Sequence, residues 1–490
     1  MFLYTFALFS VAVAFAIRYV YSYWDRQGLP NLKPHIPFGN LEKVAKKTES
    51  FGVAICELYW QTKDQLVGIY LFFRPAILIR DAHLAQRIMT TDFNYFHDRG
   101  VYCNEQGDPF SAHLFALPGK QWRNLRNKFT PLFTGGQLRN MMPTILNVGG
   151  KLQKFLDPIA EQEKVLEIRE VVSRCVLEII ATIFFGIEAN CLSNRDDSFS
   201  KVLREFQVEN FSNNFRAAAV FVCPGLLKLT RVTSLSPEMI KFVTDIITEQ
   251  ISYREKNNVT RKDFIQLLIN LRREDRDNNE IALSLGQCAA NVFLFYVAGS
   301  DTSTSAITFT LHELTQHPET MKKLQHEIDE MLAKTNGELT YEGIIAMPYL
   351  DLCVKETLRK YPGLPILNRE CTKDFKVPDL DVVIRKGTQV VIPLLSYGMD
   401  EKYFPEPDRY DPERFDDATR NYDEKAYFPF GDGPRNCIAF RMGVMVSKIG
   451  LILLLSKFNF EATQGPKMKF SAATIPLLPK DGIQLRISKR

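Results

Sequence analysis

Residues 2–17 form an almost unbroken apolar run, followed by Arg18 and Arg26 with the aromatics Tyr19, Tyr21, Tyr23 and Trp24 between them. A helix needs about 20 apolar residues to cross a bilayer, and Tyr and Trp suit its interface. The rest of the chain therefore folds tethered to a membrane. A cleaved signal peptide is the rival reading, because Ala14-Phe15-Ala16 resembles a cleavage site. No positive side chain precedes the run and the positives follow it, which favours a retained anchor with the body on the cytosolic side. Residues 1–27 are read as an anchor helix. Residues 28–40, with Pro30, Pro34 and Pro37, are read as a stiff hinge, and residues 41–490 as one domain.

Across 490 residues, 46% are hydrophobic and 24% charged, a globular balance that excludes a disordered or fibrous chain. Lys and Arg number 61 against 57 Asp and Glu, a net charge of +4 with no block of one sign, so nucleic acid is not a partner. The nine cysteines never fall in a Cys-x-x-Cys pattern, which excludes the usual zinc and iron–sulfur sites. Their odd number and apolar settings suit reduced thiols in a reducing compartment.

Helical spacing dominates beyond residue 120, at 120–133, 137–156, 167–186, 236–256, 280–313, 317–333, 349–360 and 438–456. Apolar β-favouring runs interrupted by Arg74-Pro75 predict a hairpin over 66–80, and short strands return at 388–393 and 483–488. The fold class is mainly α with a minor β-sheet region.

Residues 430–439 read Phe-Gly-Asp-Gly-Pro-Arg-Asn-Cys-Ile-Ala, a glycine-punctuated loop that enters an apolar helix with Cys437 at the junction. A helix N-terminus favours a thiolate, and loop N–H groups aimed at the sulfur tune any metal it holds. A buried cysteine after an ordinary turn is the plainer alternative. Other constellations fail: His312-Glu313 and His326-Glu327 have Gln316 and Glu330 where a zinc protease needs a second His. Gly431 and Gly433 lack the third glycine of a dinucleotide loop, so the chain does not bind NADPH itself. There is neither a nucleophile elbow nor a phosphate loop.

The loop resembles the haem-binding segment of the cytochromes P-450, the haem-thiolate monooxygenases. Phe430, Gly433, Arg435 and Cys437 match its pattern, and only Ala439 departs, where the family has glycine against the porphyrin. The resemblance implies that Cys437 is the axial ligand of haem b and that Arg435 binds a propionate. It extends over most of the chain. Ala298-Gly299-Ser300-Asp301-Thr302 is similar to the family's distal helix, where Gly299 would open room for dioxygen and Asp301 and Thr302 would relay protons. From the residues alone, a threonine bonded to its own helix carbonyl and a solvated aspartate are equally good readings. Glu356 and Arg359, three residues apart on a helix, with Arg414 from the later Pro412-Glu413-Arg414-Phe415, match the structural triad beneath the haem. Trp122, Arg126 and Arg369 match propionate partners, with His113 as a further candidate.

The resemblance further implies that the axial thiolate favours cleavage of O2, a co-substrate, for oxidation of lipophilic substrates. With no flavin or nicotinamide site, electrons come from NADPH through a membrane-bound flavoprotein reductase, cytochrome b5 being a further candidate donor. The likeness is greatest to insect microsomal members acting on xenobiotics, insecticides or endogenous hormones and lipids, on the cytosolic face of the endoplasmic reticulum membrane. By family position residues 101–117, 211–222, 293–302, 364–367 and 471–475 line the pocket, and 221–227 is an apolar loop that dips into the bilayer. A haem sensor or redox carrier and a haem-free membrane scaffold remain as alternatives.

Overall fold

The computed structural model describes residues 2–207, 211–278, 283–472 and 475–490. Its first helix, α1 (Phe2–Tyr21), projects with Phe2, Phe6, Phe9 and Phe15 exposed, as a membrane segment would. The aromatic cluster after it is divided. Tyr19 is exposed, but Tyr21 and Trp24 are buried in the body, which corrects the reading of all four aromatics as interfacial. The reason is local: Trp24 lays its ring on Gly68, where a Cβ would come within 2.5 Å of the indole, and donates Nε1–H to the Ile69 carbonyl at 2.9 Å. The proline segment is strapped to the same strand, with the Gly68 N–H donating to Pro30 O and the Asn40 N–H to Tyr70 O, both at 2.8 Å.

The expected hairpin is β1 (Leu66–Leu71) and β2 (Arg74–Ile79), paired antiparallel. Next come helices α2 (Gly119–Phe129) and α3 (Gly135–Ala160), strand β3 (Val165–Glu167) and helix α4 (Ile168–Ile180). Helices α5 (Phe211–Phe221) and α6 (Pro224–Thr230) follow. Residues 221–227 are thus not a loop: Pro224 stands at the first position of α6, where its missing N–H costs nothing and its fixed φ suits a helix. The chain continues through α7 (Pro237–Asn257), α8 (Leu285–Gln316), α9 (Pro318–Lys334) and α10 (Pro348–Lys360). Later elements include β4 (Leu367–Glu370), β5 (Phe375–Lys376), β6 (Val383–Ile384), β7 (Gln389–Ile392), α11 (Phe440–Leu455), β8 (Phe458–Ala462) and β9 (Gln484–Lys489). Parts of two expected segments, 280–282 and 473–474, lie outside the described residues.

The sheets are small: a mixed β1-β2-β7-β4, a three-stranded β3-β9-β8 and the pair β5-β6. Helix α8 runs through the body, opened by a capping box in which Ser284 and Gln287 satisfy each other's N–H groups. It is buried on nearly every side, so its hydroxyls must be satisfied internally. Thr304, Thr308 and Thr310 donate to the carbonyls four residues back at 2.6–2.8 Å. Helix α11 crosses it closely because Gly450 meets Ile307, whose Cδ1 would stand 2.7 Å from a Cβ there. One large apolar core lies among the helices and a second around the mixed sheet. Phe430, Ile438 and Ala439 pack on the first and Phe428 belongs to the second, so the cysteine loop sits on their seam.

Candidate active site

The loop before α11 is closed by its own backbone. The Cys437 N–H donates to Phe430 O at 2.9 Å and the Asn436 N–H to Gly433 O at 3.1 Å. Gly433 has φ +66°, and a Cβ there would lie 1.9 Å from the Met89 carbonyl oxygen, so the turn demands glycine both conformationally and sterically. Arg126, on α2, clamps the loop by donating to Asn436 O at 2.7 Å and Asn436 Oδ1 at 2.8 Å. Ala439 caps α11 with φ −98°, a backbone that needs no glycine, so the departure from the family pattern carries no strain. Phe430 is half-buried, its ring 6.1 Å from that of Phe440.

Cys437 retains accessible surface although it lies deep in the protein, so its sulfur borders an interior cleft. Burial raises its thiol pKa, while the Ala439 N–H and the charges of Arg126 and Arg99 act in the opposite direction. Helix α8 has an accessible spot within its otherwise buried length. Ala298 is exposed midway along that helix although Tyr296 and Ser300 beside it are fully buried. One turn on, Thr302 donates its hydroxyl to Ala298 O at 2.7 Å, leaving its lone pairs to accept a hydrogen bond from a group in the cleft.

The placing of Gly299 corrects one expectation. Its Cβ position lies 3.1 Å from Ile180 Cδ1, so the missing side chain admits the neighbouring helical segment, and the exposed residue there is Ala298. Asp301 is not a solvated carboxylate. Arg169, at the start of α4, approaches it with Nη2 at 3.3 Å and donates Nη1–H to Ser305 at 2.9 Å.

Four guanidinium groups converge at this seam. Arg435 donates to the Phe115 carbonyl at 3.2 Å and to the Leu117 carbonyl, lies 3.8 Å from Asp98, and stacks 4.4 Å above Trp122. Trp122 therefore supports the face of Arg435. Arg369, on β4, is fully buried and spends Nη1 on its neighbour's carbonyl, Asn368 O, at 2.9 Å. Arg99 donates to Arg435 O at 3.3 Å and lies 4.1 Å over the Phe115 ring. Nε and Nη1 of Arg99, Nε and Nη2 of Arg369, and Nε of Arg435 are buried without a partner. Burial and then mutual repulsion push Arg369 and Arg435 down to about 9, with Arg99 also well below its ordinary value. His113 is neutral, pushed down to about 4 by burial, and its Nδ1 is also unpartnered.

Buried donors left open in a cluster of like charge suit an anion with several acceptor oxygens. A macrocycle bearing carboxylates, with a metal for the thiol, fits this donor set. No group of three or more His, Cys, Asp or Glu among the described residues offers an alternative metal site.

Beside the loop, Glu356 and Arg359 are fully buried and joined by two hydrogen bonds, Nε to Oε2 at 2.7 Å and Nη2 to Oε1 at 2.8 Å. Arg414 brings Nε to 3.6 Å from Glu356 Oε2, and the Asp411 N–H donates to Oε1 at 2.9 Å. The three residues expected together thus share one buried point that ties α10 to the segment before the cysteine loop.

An inward thiol beside buried guanidinium nitrogens without partners suits a metal-bearing macrocycle with carboxylate arms, in a largely helical body. Comparison with known proteins agrees: the family model described as Cytochrome P450 matches residues 29–487, and the chain belongs to that family. It is 46% identical to cytochrome P450 6d3 of Musca domestica over 99% of this chain and 98% of that protein. It is 43% identical to probable cytochrome P450 6d4 of Drosophila melanogaster, covering 97% and 96% of the two chains. To cytochrome P450 6a2 of the same fly it is 36% identical, with 98% of each covered. The protein is a haem-dependent monooxygenase of the insect type, served by a redox partner and acting on lipophilic substrates. Its apolar α1 fits a membrane anchor.

Two residues of this site escaped the motifs. Arg99 carries no local signal, since only the fold brings it to Arg435. Arg169 did carry one: it occupies the apolar stripe of α4 with Val172 and Val176, and a charge on such a stripe needs a buried partner.

Proposed function

We propose that Cys437 would hold the haem iron through its thiolate and that Arg99, Arg126, Arg369 and Arg435, with Trp122 and His113, would hold and orient the propionates. The observation that carries this is the set of unpartnered guanidinium nitrogens in a cluster whose Arg99 and Arg126 charges act on the Cys437 sulfur. A thiol bonded to a metal is deprotonated, and the Ala439 N–H with the charges of Arg126 and Arg99 stabilises that anion. Phe430 and Gly433 shape the loop around it. Haem supplies the activation of O2, which no side chain can perform.

The chain's own part is orientation and proton movement. Thr302, whose hydroxyl donates to Ala298 O, would accept a hydrogen bond from the side where O2 would bind, and Asp301, held by Arg169, would take a proton from solvent and pass it towards Thr302. Ala298 and Gly299 keep α8 slim and closely packed there. Glu356, Arg359 and Arg414 brace the floor. Residues 101–117, 211–222, 293–302 and 364–367 wall a space for lipophilic compounds, xenobiotics, insecticides or endogenous hormones and lipids. Residues 1–27 anchor the enzyme in the endoplasmic reticulum membrane, residues 28–40 link it, and 41–490 form the catalytic domain on the cytosolic face. NADPH electrons enter through a flavoprotein reductase, with cytochrome b5 as a second donor.

The test is reconstitution with reductase and NADPH under isotopically heavy O2, against a panel of lipophilic compounds. One heavy oxygen atom in a product, reduced at least tenfold in Thr302→Ala while NADPH consumption continues, is the result expected from the loss of one proton-relay group. Products without label would refute the assignment.

A further inference from the structure

The end of α5 is fastened to the body at one charged point. Arg74, the first residue of β2, donates Nη1–H to Gly100 O at 3.1 Å and reaches Phe221 O, the last carbonyl of α5, at 3.5 Å. Its Nη2 donates to Glu370 Oε2, on β4, at 3.1 Å. The last carbonyls of a helix lack partners within it and favour a cation, so the guanidinium suits this end, and Glu370 balances its charge. Beside it the Tyr102 N–H takes up Val220 O at 2.9 Å. Gly100 fits tightly here: a Cβ would lie 2.6 Å from Glu370 Oε2.

Two features make this contact consequential. Tyr102, Ala219 and Leu227 form a small apolar cluster of their own, separate from both large cores. A satellite cluster of this kind opens at lower cost than the cores do. The ring of Phe221 also lies 6.5 Å from that of Phe115, which carries the Arg99 guanidinium on its face. The end of α5 is thereby linked by ring contacts to the guanidinium cluster.

We propose that Arg74, with Glu370, is a positioning residue for substrate admission: it latches the α5–α6 junction to β4 and to the loop at Gly100, and release of the latch opens the cleft. The inference rests on the reading that residues 211–222 wall the substrate space.

The test compares membrane-bound holoenzyme of the parent with Arg74→Met, Glu370→Gln and Arg74→Lys. Hydrogen exchange in residues 97–104 and 219–224 reads the latch. Association and dissociation of 1-phenylimidazole, followed at the Soret band, read admission. In Arg74→Met and Glu370→Gln, exchange there accelerates about tenfold while α10 is unchanged, and both ligand rates rise about fivefold. Arg74→Lys recovers part of each change. Exchange and ligand rates within about twofold of the parent overturn the proposal, as does faster exchange with unchanged ligand rates. If Arg74→Met yields no holoenzyme, Glu370→Gln, which keeps the guanidinium and its carbonyl partners, decides alone. A parent lacking a thiolate-type Soret band would refute the functional assignment instead, while hydrogen exchange would still read the latch.

Discussion

Replacing Glu356 by glutamine keeps the shape of the side chain and removes its charge, leaving Arg359 and Arg414 buried without their counter-ion. Glu356 is fully buried, accepts two hydrogen bonds from Arg359 and one from the Asp411 N–H, and faces Arg414 at 3.6 Å. Breaking such a pair from one side costs about 3–5 kcal/mol, chiefly because the remaining charges stay desolvated. With an unfolding entropy of about 2.1 cal/mol/K per residue, a chain of 490 residues loses about 1 °C of midpoint per kcal/mol. Glu356→Gln should therefore lower the thermal midpoint by about 3–5 °C, read by far-ultraviolet ellipticity of the holoenzyme at one fixed scan rate. In the double variant Glu356→Gln, Arg414→Met, removal of one stranded cation should return about 1–3 kcal/mol relative to the sum of the single changes. A Glu356→Gln midpoint within about 1 °C of the parent, with no coupling to Arg414, would refute the claim that this carboxylate neutralises both arginines.

Gly433→Ala should cost about 1–2 kcal/mol in backbone strain alone and force the Met89 carbonyl aside, so the purified protein should carry less than half the parent's haem, measured as pigment per protein. The pH dependence of stability should show His113. Its imidazole is held near 4 against an ordinary 6.5, so the unfolded chain takes up a proton before the folded one does. Stability is then full above about pH 6.5 and falls as pH drops towards 4, by up to ~3 kcal/mol. Chemical denaturation of the haem-free protein across that range should show this slope, and His113→Gln should flatten it; an unchanged slope would contradict a buried neutral ring.

Much of the site was legible because its chemistry is local. The turn at Gly433 and the cysteine entering α11 occupy ten consecutive residues, and Glu356 with Arg359 share one helix face. Long helices such as α8 and α11 follow from sustained apolar periodicity. Short elements were not legible. The helix Ala82–Met89 depends on Asp81 accepting the Leu84 N–H, and Pro224–Thr230 on a proline that reads equally well as a turn. Trp24 looked interfacial because its amphipathic ring suits a membrane as well as it suits Gly68. Arg99 could not be found at all, because its role depends on two other loops meeting it.

The central claim is that the Cys437 sulfur would bind the haem iron. Its most direct measurement is the absorption spectrum of the reduced, carbon monoxide-bound protein, parent beside Cys437→Ser. The parent should give the red-shifted Soret band of thiolate ligation and the variant should lose it, with haem lost or the band moved to shorter wavelength. A Cys437→Ser protein that kept that band would contradict the account.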